Sequence, residues 1–424
     1  MVQPDRKLNP HIYEVRYIYQ NIKFYENDLS NGIIDIKNWY FFRDLSNYKL
    51  NWEIIANGIV VETGTIEDIV ALPQVKTAIH IPFKTKLEYG LEYFLNVSIE
   101  LKADEPLLKA DHVAAYEQFQ LQDANVQILE KETEAVSYKK QGDAIIVTGK
   151  GFKMIFDKKM GQLTDYTYGN KSLLKNGPQV NFWRAPVDND YGAGTQKKYK
   201  AWQDAGKSDN VITSLKRLSK SEIQIKFTRD LFNGDANLIE TYLVKGSGKI
   251  KVTNDLNAIK GKHSNFYKFG NKLILPEDYK NITYYGKGPF EAYADRQHAA
   301  KIGLFKQTIA EQYFPYIRPQ ETGNKIDVRW ASLTKEDGSG IKFISEKPFY
   351  ISALNFSEDD LSSGEEKTQH HAGEIDLQKD VFVNIDGFQQ GLGSINSWGR
   401  LPMEQYLLPY KDYSYSYWMV PVEK

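Results

Sequence analysis

The sequence predicts an all-β protein of two unequal domains, and three observations carry that prediction. Apolar and polar residues alternate along many short runs, the period expected of half-buried strands. The 28 Tyr, 21 Phe and 7 Trp suit pleated surfaces. A chain of 424 residues also exceeds the roughly 250–300 at which one hydrophobic core stops growing.

Alternation is clear through residues 1–121. Leu50, Trp52 and Ile54 share one strand face, and Tyr93, Leu95, Val97 and Ile99 share another. Asn57-Gly58 between apolar runs marks a two-residue hairpin, since both turn positions need positive φ. A further strand is expected at residues 77–83, where Pro82 suits an edge or a bend. Several short strands in so little chain predict an immunoglobulin-like β-sandwich. Residues 122–136, polar and rich in Glu and Gln, read as a linker. Alternation resumes over residues 137–424, at 144–147, 152–156, 222–227, 249–252, 272–275, 381–385 and 413–419, which predicts a large second all-β unit. The best helix candidate is 195–205, where Tyr199 and Trp202 share a face. No repeat of constant period is visible, which disfavours a propeller or solenoid.

Composition excludes several functions. The 54 Lys and Arg balance 55 Asp and Glu, so no net field draws phosphate and nucleic acid is not an expected partner. No apolar run approaches the ~20 residues that cross a bilayer, which predicts a soluble chain without a membrane partner. The lack of Cys rules out disulfides, thiolate chemistry and Cys-ligated metals. It leaves the compartment, cytoplasmic or periplasmic, open. No leader precedes the first domain, an absence that carries no weight if the chain is a piece of a longer one.

Four segments could carry chemistry. His370, His371 and Glu374 form a dense polar cluster. Adjacent His side chains on an extended backbone point apart, however, which favours a solvated loop over a metal site. FWRAPVDND, residues 182–190, offers Arg184, Asp188, Asn189 and Asp190 either for sugar hydroxyls or for tying neighbouring strands together. GLGSINSWG, residues 391–399, leaves Trp398 on a loop of small residues. An indole there is expected to cover another domain or to stack on a sugar ring. A glycosidase needs two carboxylates, yet no Asn-Glu dipeptide of the kind that ends a barrel strand occurs in the chain, nor does a Gly-x-Ser-x-Gly elbow, a phosphate loop or a His-Glu-x-x-His helix.

Beyond these readings, the chain resembles the large β-galactosidases of glycoside hydrolase family 2 over nearly its whole length. The resemblance rests on DRKLNPHIYEVRYIYQNIKF (5–24), FWRAPVDND, WQDAG (202–206), YYGKGPFEAYADR (284–296), PYIRPQETGNKIDVRW (315–330) and VNIDGFQQGLGSINSWG (383–399), in that order. It implies the enzyme's fourth and fifth domains, an immunoglobulin-like sandwich and then a large antiparallel supersandwich similar to galactose mutarotase. It also implies a separate catalytic barrel that holds both catalytic Glu residues and the Mg and Na sites. No catalytic residue, metal ligand or cofactor is then expected in this chain. Its partners would be that barrel, a galactoside in the complete enzyme and, in a homo-oligomer, a second copy. By the resemblance Trp398 reaches the substrate pocket, with Arg184, Asp188, Asn189, Asp190, Asp295 and Arg296 in supporting loops. The loop departs from the family pattern at Ser394 and Ile395, and loss of a Gly there restricts φ. The alternatives are a natural small subunit of a split β-galactosidase and a stand-alone carbohydrate-binding or aldose-epimerase-like module. Fold similarity to mutarotases does not transfer their chemistry.

Overall fold

The computed structural model describes residues 1–124, 132–207, 211–393, 395–396 and 398–423. Residues 125–131 of the linker expected at 122–136, and Ser394 and Ser397 in the Trp398 loop, therefore lie outside the described residues. Two compact units form, Met1–Ile128 with His298–Leu304, and Leu129–Gln297 with Phe305–Lys424.

In the first unit an antiparallel four-stranded sheet, ordered Ile59–Ile66, Tyr48–Ala56, Tyr93–Leu101, Val113–Gln122, accompanies a three-stranded one of Ile22–Asp28, Ile33–Asn38 and Lys76–His80. Leu50, Trp52, Ile54, Leu95, Val97 and Ile99 of the larger sheet share a core with Ile22, Phe24, Ile34 and Ile36 of the smaller. The alternating faces therefore bury each other as a β-sandwich. Asn57 and Gly58 take φ of 46° and 87° and close the hairpin as their sequence requires. The strand expected at 77–83 runs instead over Lys76–His80. Past its end, the Ile81 N–H donates to Gly32 O at 2.7 Å, and Pro82 has no N–H to continue a ladder. His298–Leu304 joins this unit through specific bonds: the Glu14 carboxylate accepts from the amides of His298 and Ala299, each at 3.0 Å, and Gln118 exchanges two bonds with the Ile302 backbone.

The second unit pairs a five-stranded antiparallel sheet, Ser137–Gln141 to Lys171–Leu174, with a much larger one. The large sheet runs Asn176–Asn181, Lys268–Leu275, Val381–Gln389, Gly340–Leu354, Tyr413–Val422, Ile250–Ala258, Ala236–Lys245, Glu222–Leu231, Val211–Arg217. Tyr279–Gly288 and Lys325–Lys335 extend it beside Gly340–Leu354. Val147, Met154 and Phe156 of the small sheet meet Ile225, Phe227, Ile351, Val383 and Ile385 of the large one in the main core. The helix expected at 195–205 is shorter. An α-helix covers Thr195–Lys198 and a 3-10 turn covers Lys200–Trp202. Tyr199 and Trp202 are both buried, so packing against different neighbours, Tyr267 for one and Phe182 for the other, overrides the helical period.

Candidate functional site

Val381–Gln389 leaves the sheet into the loop that carries Trp398, and its neighbours hold the base of that loop. Gln390 N–H donates to Tyr267 O at 2.7 Å and Gly391 N–H to Tyr406 O at 3.0 Å. The Asp295 carboxylate then accepts from the amides of Leu392 at 3.1 Å and Gly393 at 2.6 Å. Asn189 Nδ2 donates to Leu392 O at 3.2 Å. A Cβ at Gly391 would stand 2.5 Å from an Asp295 oxygen, so the missing side chain is what lets this carboxylate reach the loop. At the far end Gly399 takes φ of 102°, with its own Cβ position 2.8 Å from Gly192 O. Between these anchors Trp398 is 89% exposed. Its backbone N–H donates to Asn396 Oδ1 at 2.9 Å, while Ile395 also faces solvent.

The segment before Asn189 is built on a buried ion pair. Arg184 Nη1 lies 2.9 Å from Asp190 Oδ2, and its guanidinium sits 4.6 Å from the centre of the Tyr267 ring. Asp190 also accepts from Val187 N–H at 2.8 Å and from Thr195 Oγ1 at 3.2 Å. Burial pushes the Asp190 carboxyl above its ordinary range in spite of Arg184. Both side chains are buried, so this pair supports the loop from within and is not a surface for hydroxyls. Asp188 is exposed and turns to Arg318 Nε at 3.0 Å and Lys367 Nζ at 2.7 Å. Burial opposes these two cations, yet they hold the Asp188 carboxyl below its ordinary range.

Arg296 turns away from Asp295 and pairs with buried Glu291. Glu291 also accepts from Thr322 Oγ1 at 3.0 Å and Gly323 N–H at 2.8 Å, so Arg296 fixes the start of another loop. The structure thus gathers Asp295, Asn189 and the Trp398 loop, and places Arg184 and Asp190 beneath them as scaffold. His371 Nδ1 lies 3.2 Å from Glu374 Oε2 in an exposed turn. Among the described residues no group of three His, Asp or Glu side chains is arranged to hold a metal ion.

Sequence reading missed a second polar centre in this unit. Lys268 Nζ, fully buried, lies 2.8 Å from Glu358 Oε1 and 3.7 Å from Asp386 Oδ2. Burial raises the Asp386 carboxyl to about 7, against Lys268 and with the help of Glu358. Glu321 is raised to about 7 by the same burial, only partly offset by Lys268 and Arg184. The available signal was the alternation itself. Asn384 and Asp386 alternate with Val383 and Ile385, on the face that a half-buried strand ordinarily gives to water.

Comparison with known proteins agrees with this architecture. The model described as "Beta galactosidase small chain" matches residues 148–419, and "Beta-galactosidase, domain 4" matches residues 34–122. A β-galactosidase of Priestia megaterium is 29% identical over 420 residues, covering 98% of this chain and 40% of the relative. One of Pseudoalteromonas haloplanktis is 27% identical over 438 residues, with 97% and 41% covered. The chain therefore spans about 40% of the length of these relatives. Among solved structures, a putative aldose 1-epimerase of Escherichia coli K12 aligns at a TM-score of 0.38 and 9% identity, over 68% of this chain and 99% of that one.

Proposed function

The chain belongs to the β-galactosidase small-chain family, and on that premise we propose that it is the carboxy-terminal accessory portion of a retaining β-galactosidase acting on terminal β-D-galactosides. In this role it braces a catalytic barrel and lends Trp398 to the substrate pocket. The paired carboxylates of a retaining enzyme, about 5–5.5 Å apart, and the Mg and Na ions, are assigned to the part of the relatives' length that this chain does not span. By itself the chain is then inactive on galactosides.

The observation that carries the proposal is the exposed indole on an anchored loop. A Trp side chain has roughly 200 Å² to cover, worth a few kcal/mol at about 25 cal/mol per Å², and a free loop tip gives that up. The first unit adds support. Trp39, Phe41, Phe42, Val70 and Leu72 are exposed on two loops tied together by Asn38 Nδ2, which donates to Ala71 O at 3.1 Å and Arg43 O at 2.8 Å. An apolar patch of this kind suits packing against further protein, whether the barrel or a second copy.

In the complete enzyme, Trp398→Ala is expected to raise KM for lactose about tenfold with the melting temperature unchanged, as for a lost stacking contact. An unchanged KM removes Trp398 from the pocket. Lactose hydrolysis by the purified chain, free of other enzyme, overturns the assignment of the chemistry elsewhere.

A further inference from the structure

The large sheet of the second unit uses its two faces differently. Val381, Val383 and Ile385 enter the main core, so Phe382, Asn384 and Asp386 project to the opposite side. Asn384 lies opposite Lys272 on one neighbouring strand and Ser352 on the other. Over this face, the segment bearing Glu321 and the short helix Glu358–Leu361 close a cavity of about 230 Å³. Leu354, Phe356 and Phe382 form its apolar wall, while Glu321, Glu358, Lys272, Asn384 and Ser352 supply polar groups.

Two of the acidic residues that line the cavity, Glu358 and Glu321, are in different states. Glu358 is engaged, with Lys268 Nζ at 2.8 Å, Asn181 Nδ2 at 2.7 Å and Lys272 Nζ at 3.9 Å. Glu321 is 6% exposed, and among the described residues no hydrogen-bond or ion-pair partner reaches its carboxyl. Its oxygens open on the cavity, where a bound molecule would supply the partners that the protein does not.

We propose that this cavity is a binding site for a single neutral polyhydroxylated ring, a monosaccharide, with Glu321 as its principal hydrogen-bonding group. None of the lining residues belongs to the Trp398 loop, so the site is independent of the galactoside contact proposed above.

The ligand class follows from the wall. Hydroxyls both donate and accept, so they satisfy a carboxyl, an ammonium and an amide together. The aromatic and aliphatic wall suits the C–H face of a sugar. A charged ligand fits less well: Lys268 and Lys272 are already engaged by Glu358, burial draws Glu321 toward its neutral form, and an added charge would be buried unpaired. The volume exceeds the ~10–15 Å³ that one water needs and stays below the ~300 Å³ at which drug-sized sites begin. One ring fits that window and an oligosaccharide does not. Because Glu321 titrates near 7, it can donate to one hydroxyl or accept from another around neutral pH.

The test is saturation-transfer NMR and calorimetry on the purified chain with D-galactose, D-glucose and spermidine as probes. A monosaccharide is expected to bind with a millimolar Kd. Glu321→Leu should weaken it about tenfold or more, the effect of removing a group built to bond hydroxyls, while the melting temperature holds or rises. Asn384→Ala should weaken it too, and Trp398→Ala should leave it unchanged. The proposal is overturned if no sugar binds at tens of millimolar, if binding survives both cavity variants, if it is lost with Trp398, or if spermidine binds in place of sugar.

Discussion

Asp190 and Glu321 are both buried carboxyls in the second unit, and they are built in opposite ways. Asp190 is surrounded by Arg184, the Val187 amide and Thr195, whereas Glu321 faces a cavity and is bonded by none of the described residues. Burial pushes both above their ordinary range. The contrast separates scaffold from site: a satisfied carboxyl fixes a loop, and an unsatisfied one is left for something that arrives later.

The sharpest way to break this comparison is to unpair Asp190. Arg184→Met is expected to cost about 3–5 kcal/mol in urea unfolding, because it strands a buried charge, and a loss under 1 kcal/mol would mean that Asp190 is already neutral. Next comes pH. A carboxyl that titrates near 7 when folded and at 4.5 as its ordinary value takes up a proton on folding. Glu321 therefore stabilises the fold less as pH rises from about 4.5 through 7, by about 3 kcal/mol in all. Asp386 moves in the same direction. Unfolding midpoints measured across that range should fall with pH in the wild type and fall less steeply in Glu321→Gln, where Asp386 alone remains. An equal slope in the two proteins would assign the titration to Asp386.

A smaller effect is expected at the loop base. Asp295→Ala removes the acceptor of two amides and should cost about 1–2 kcal/mol. Faster hydrogen exchange at Leu392 and Gly393 would locate the loss, and unchanged exchange would show that the other anchors suffice. Trp398→Ala should shift stability by no more than about 0.5 kcal/mol, as at an exposed position. A larger loss in the isolated chain would mean that the indole packs where it stands.

Much of the fold was legible in the sequence. The faces of Leu50, Trp52 and Ile54 and of Leu95, Val97 and Ile99 are the buried faces, and Asn57-Gly58 turns the hairpin. Of the site, the segments around Asn189, Asp295 and Trp398 could be named singly, but their meeting could not, since Asp295 and Leu392 are far apart in the chain. The helix at 195–205 was overread, because Tyr199 and Trp202 at helical spacing are buried against different neighbours. Glu321 lies in PQETGNK, with nothing nearby to tell it from a solvated glutamate.

Strand identity, turn positions and the all-β class were settled by the sequence, because side-chain alternation and positive-φ turns are properties of a few adjacent residues. Which carboxyl is paired, which is stranded in a cavity and which holds the Trp398 loop was decided only by tertiary structure. Burial and hydrogen bonding depend on groups that folding brings from distant parts of the chain, and local pattern carries no record of them.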